Sequence, residues 1–152
     1  MKPNAISQSD VHYYPPWSRP TELLVLLKLD RARIDGKWNP GDHEGNIAAI
    51  DSVCDELTGH PYLLHIPKHK YHEKVMEWWF RYVRFNALLK DDRTWYCEES
   101  KRVFCTDISW SQIEIENPSA LCYMEEGEAN WDILKRLFYE PEVYSCSDED
   151  DW

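Results

Sequence analysis

Residues 71–90, YHEKVMEWWFRYVRFNALLK, constrain this chain more than any other stretch, because apolar residues cover two faces of the helix they predict. At helical spacing, Tyr71, Val75, Trp78, Tyr82, Phe85 and Leu89 form one stripe, and Met76, Trp79, Val83 and Ala87 form a second. Glu73, Glu77, Arg81 and Arg84 leave only a narrow polar line, in which Glu77 and Arg81 have the i,i+4 spacing of a helical ion pair. A helix apolar over most of its circumference is either central to a core or half core and half interface. Trp78 is assigned to the core and Trp79 to the spare face.

The rest of the composition points to a core built from aromatic side chains. Eight Trp, nine Tyr and four Phe in 152 residues supply large surfaces to bury, and this length suits one domain. The 28 acidic and 17 basic residues give a formal charge of −11. Such a charge opposes direct nucleic-acid binding and attraction to anionic membranes. No apolar run has the length of a membrane span, and the N-terminal MKPNAISQSD lacks the apolar segment of an export signal. Five widely spaced cysteines (54, 97, 105, 122 and 146) read as reduced thiols. The expected location is therefore cytoplasmic, or the cytoplasm or nucleus of a host, and not secreted.

The expected fold is α+β: a single compact domain with a small mixed sheet of about five short strands, packed with two to three helices around an aromatic-rich core. Residues 1–20, with four Pro among His12, Tyr13, Tyr14 and Trp17, read as an N-terminal arm. The domain spans 21–144, and 145–152 (SCSDEDDW) forms an acidic tail expected to be disordered. The apolar run ELLVLLKL at 22–29 is assigned to a strand ending in the turn residues Asp35-Gly36. Residues 44–58 form a helix, with Asp42 as N-cap and apolar positions Ile47, Ile50, Val53, Cys54 and Leu57. A strand at 62–66 would complete a β–α–β order. Beyond the long helix, short strands are assigned to 94–97, 102–108 and 111–116, the last from the alternation SQIEIE, before a helix at 128–139.

Two groups of residues raise the question of chemistry. His65, His69 and His72 cluster near His60 and Cys54, and His69 and His72 are spaced to share a helical face, as a zinc site would need. Pro67 interrupts the backbone between His65 and His69, and no further zinc signature accompanies them. Asp35, Lys37 and Asp42 offer the acids and the lysine of a metal-dependent hydrolase or nuclease, in a segment that also carries turn signals. Glycine-rich phosphate loops and serine-hydrolase motifs are absent. The expectation is no cofactor, with zinc as the alternative.

Charge is unevenly distributed. Residues 66–94 carry seven Lys/Arg against four acids, whereas residues 125–152 carry ten acids against Lys135 and Arg136. The acidic end either complements the basic helix or meets a partner with a basic surface; in the second case its carboxylates would mimic nucleic acid. Ser147 stands before Asp148-Glu149-Asp150, the context of an acid-directed kinase site. Trp152 ends the acidic tail and has the character of a docking anchor. Small size, acidity, aromatic richness and the absence of catalytic motifs generically resemble small accessory proteins, such as viral or phage counter-defence factors and immunity proteins. That resemblance implies a non-enzymatic protein that blocks or recruits a macromolecular partner. Candidate partner-binding residues are Trp79, Met76, Val83, Tyr14, Trp17 and Trp152, and the same surfaces could support a homodimer.

Overall fold

A computed structural model describes residues 17–60 and 66–139. The chain divides into two compact units, Met1–His72 and Glu73–Trp152. The described elements are predominantly helical, with one two-stranded sheet. This overturns the expected five-stranded mixed sheet.

In the first unit, α1 (Arg19–Ile34) occupies the run expected to be a strand. Ser18 caps its N-terminus by accepting from the Thr21 N–H, Pro20 sits in the first turn, and Glu22 complements the positive end of the dipole. Val25, Leu26 and Leu29 bury one face. The helix closes in a Schellman motif, with Lys37 N–H donating to the Ala32 carbonyl at 2.8 Å and Gly36 N–H to Arg33 at 3.0 Å. Gly36 supplies the positive φ of 82°. Local capping thus settles the strand-or-helix ambiguity of a leucine-rich run.

The second helix, α2 (His43–Leu57), agrees with the expected helix at 44–58, and Asp42 caps it through the Gly45 N–H at 3.1 Å. Its buried face comprises Asn46, Ala49, Ile50, Val53, Cys54 and Leu57, and it packs on α1. Asn46 holds the inter-helix turn like a backbone partner: its Oδ1 accepts from Asn39 N–H at 2.9 Å, and its Nδ2 donates to the Asn39 carbonyl at 2.8 Å. Both polar ends of this buried amide are therefore satisfied. The expected strand at 62–66 falls largely outside the described residues, and Ile66 is buried without strand structure. The proposed β–α–β order is lost with the change of α1.

The long helix, α3 (Lys68–Leu89), begins in the first unit and continues into the second. In the second unit, Phe85 is a centre of aromatic packing, edge-on to Trp131 at 4.8 Å and tilted against Tyr123 at 4.7 Å, while Tyr82 stacks on Trp131 at 5.4 Å. Strands β1 (Trp95–Cys97) and β2 (Arg102–Phe104) pair antiparallel in the register Trp95↔Phe104, Tyr96↔Val103 and Cys97↔Arg102. They agree with the first two expected strands near residues 94 and 102, though the second stops at Phe104.

Residues 111–116, expected as a strand, lie in α4 (Asp107–Glu116). Thr106 caps it, and Trp110 and Ile113, three residues apart, turn inward. Ile113 is 3 % exposed and Ile115 81 %, so their alternation does not mark a common face. A 3-10 helix at Pro118–Tyr123 leads on to α5 (Trp131–Phe138), where Ile133, Leu134 and Leu137 are buried with Trp131. Gly127 is placed by close approach: a Cβ there would lie 1.8 Å from the Lys101 carbonyl oxygen.

Candidate functional site

Within the second unit, α3 presents two unlike faces. Val75, Trp78, Tyr82, Phe85 and Leu88 are buried, with Trp78 fully inaccessible. On the opposite side Met76, Trp79, Phe80 and Val83 are 55 %, 37 %, 49 % and 40 % exposed, and Ala87 is exposed one turn further on. Their i, i+3, i+4, i+7 and i+11 spacing makes a continuous stripe three turns long. Trp79 and Phe80 meet at its middle as an edge-to-face pair with centroids 5.0 Å apart. Large aromatics and Met side by side in water are the kind of surface that protein interfaces bury.

The stripe's polar border is partly fixed by internal pairing. Arg81 bridges the exposed Glu77 at 3.5 Å and the buried Glu128 at 2.6 Å. Glu128 also accepts from the Tyr123 hydroxyl at 2.7 Å. Burial and this carboxylate push the Tyr123 phenol well above the usual tyrosine range. Arg84 lies beside the stripe, and its Nε is buried without a hydrogen-bond partner.

The sequence-predicted site residues separate in the structure. Met76, Trp79 and Val83 share the exposed stripe, whereas Trp17 belongs to the first unit and packs edge-on against Tyr71 at 5.4 Å. Burial pushes the Tyr71 phenol up to about 12. Tyr14, Trp152, Ser147 and His65 lie outside the described residues. His69 is exposed, while His72 points its Nε2 at Asp51 Oδ1, 2.7 Å away. Among the described residues, no three His, Cys, Asp or Glu side chains are grouped to hold a metal ion.

The acids of the alternative hydrolase set have structural roles. Asp42 caps α2, and Asp35 ends α1 with its carboxylate 3.6 Å from Arg31. In the acidic stretch considered as a nucleic-acid mimic, Glu128 is buried against Arg81, whereas Asp132 is exposed, 3.6 Å from Lys101.

Phe80 was missed as a site residue, although its spacing from Met76 and Val83 places it on their face. Leu23, Leu27 and Ile34 form a smaller exposed line on α1, hidden in the sequence by the strand assignment of that run. Among the described residues, no helix is long and apolar enough to cross a membrane. No protein-family model, curated protein or solved structure matches the chain.

Proposed function

We propose that this protein acts by binding another protein through the outward stripe of α3, blocking or recruiting that partner without catalysing a reaction on it. One observation carries the reading: Met76, Trp79, Phe80 and Val83 are exposed together on a helix whose opposite face is buried in an aromatic-rich core. The stripe therefore lies outside that core. Its aromatic and thioether side chains fit an amphipathic helix or a shallow apolar groove on the partner. The formal charge of −11 favours a partner that also carries a basic surface away from the docked face, because residues 66–94 around the stripe are themselves net positive.

Affinity capture with wild type and Trp79→Ser in parallel tests the proposal, with thermal melting to confirm that the variant folds. The expected result is a partner retained by wild type and lost from the variant. A partner indifferent to Trp79→Ser, or none at all, overturns the assignment of this face.

A further inference from the structure

The stripe on α3 is nearly symmetric about its own centre. Met76 and Val83 stand 3.5 positions either side of the midpoint between Trp79 and Phe80, with all four exposed. Turned end for end and laid on itself, the stripe sets Met76 against Val83 of a second copy and brings Trp79 and Phe80, on opposite flanks, each against its own counterpart beside the two-fold axis. An isologous two-fold interface requires this reciprocity, in which residue i meets j and j meets i.

Charge along one flank obeys the same symmetry. Glu73 and Arg84 are eleven residues apart, so about three turns of helix bring them to the same side of the stripe, within roughly 20° of each other. In an antiparallel pair centred on Trp79 and Phe80, Glu73 of one copy falls about 3 Å along the axis from Arg84 of the other. The contact occurs twice. A parallel pair would place Glu73 and Arg84 on opposite flanks and lose both contacts.

We infer that a second copy of this chain occupies the stripe, with two α3 helices paired antiparallel about Trp79 and Phe80 and joined by reciprocal Glu73–Arg84 contacts. The inference rests on the reading of the stripe as a docking face and adds what covers it before a partner arrives. Partner binding then competes with self-pairing, so the protein's effective affinity falls as its own concentration rises.

Sedimentation analysis of the full chain tests this, with melting curves for every variant. Wild type is expected to run at twice the 18.2 kDa chain mass at micromolar concentrations. Phe80→Glu, at a side chain about half exposed, is expected to remain folded and run as a monomer at the same concentrations. The charge pairing has a sharper readout. Glu73→Arg alone sets Arg against Arg, and Arg84→Glu alone sets Glu against Glu, so each is expected to weaken self-association about tenfold.

Mixing these two variants restores opposite charges at both contacts and should yield a mixed dimer of wild-type strength. A wild-type monomer overturns the inference, as does a dimer indifferent to Phe80→Glu or a mixture no tighter than its components. If the wild type is monomeric yet loses a captured partner on Trp79→Ser, self-pairing fails and the docking reading stands. If it dimerises through the stripe and captures nothing, self-pairing stands and the docking of a different protein fails.

Discussion

Glu128 and Tyr123, five residues apart, meet with the Tyr123 hydroxyl donating to Glu128 Oε1 at 2.7 Å, while the other carboxylate oxygen faces Arg81 of α3 at 2.6 Å. A buried carboxylate is tolerated only where donors replace its water, and here both of its oxygens have one. This clasp ties the segment before α5 to the long helix. Arg81→Met is expected to lower stability by about 3–5 kcal/mol, because it leaves a buried charge unpaired. Arg81→Met combined with Glu128→Leu should recover much of that loss, as measured by urea denaturation. A double variant no better than the single would mean that Arg81 acts through its packing alone.

Alkaline pH should unfold the protein through its buried phenols. Burial raises Tyr71 to about 12 and Tyr123 beyond the ordinary tyrosine value of 10.0. Both phenols stay protonated in the fold while the unfolded chain ionises near 10, so their stabilisation is complete below pH 10. It declines above that value by about 1.4 kcal/mol per pH unit for each group. The midpoint of thermal unfolding, followed from neutral pH upward, should fall beyond pH 10. Tyr123→Phe should flatten the decline.

At the acid end the group to watch is Asp91. Hydrogen bonds from Arg93 hold its carboxyl near 2, below the usual 3.8. Its contribution is present above 3.8 and is lost as pH falls through about 2. Arg93→Gln should therefore lower the melting temperature at neutral pH and reduce its further fall between these values. An unchanged acid slope would remove Asp91 as the cause.

Two glycines separate close approach from backbone conformation. Gly127→Ala places a methyl group 1.8 Å from the Lys101 carbonyl oxygen and is expected to cost about 1–3 kcal/mol. Gly36→Ala meets open space but must hold a φ of 82°, so a smaller loss of about 1 kcal/mol is expected. Equal losses in chemical denaturation would contradict this ranking.

Adjacent tryptophans on α3 should behave oppositely. Trp78→Ala empties a fully buried site and is expected to cost about 3–5 kcal/mol. Trp79→Ala, on the exposed stripe, should cost well under half as much and act on binding instead. Comparable melting temperatures for the two variants would show that Trp79 also belongs to the core.

The helical parts of the fold were legible where periodicity was clear, as in α3, or where periodicity and a cap agreed, as in α2 with Asp42. The α1 strand assignment gave weight to an uninterrupted apolar run and too little to Ser18 and Pro20, which start the helix at its head. In α4 the alternation of Ile113 and Ile115 suggested a strand, but Thr106 supplies a cap and only Ile113 reaches the interior. The stripe at Met76, Trp79 and Val83 followed from counting faces. Glu128 gave no comparable signal, because its ionic partner Arg81 lies 47 residues earlier and only the folded chain brings them together.

The β1–β2 hairpin has just three residue pairs, and so short a ribbon gains little from its backbone ladder. Trp95 stacks on Phe104 at 5.9 Å, and the Arg102 guanidinium lies 5.2 Å from the same ring. Of its strand residues only Val103 is buried, so the ribbon opens in small excursions while the helices stay closed. Its amide hydrogens should exchange with solvent well ahead of those in the middle of α3.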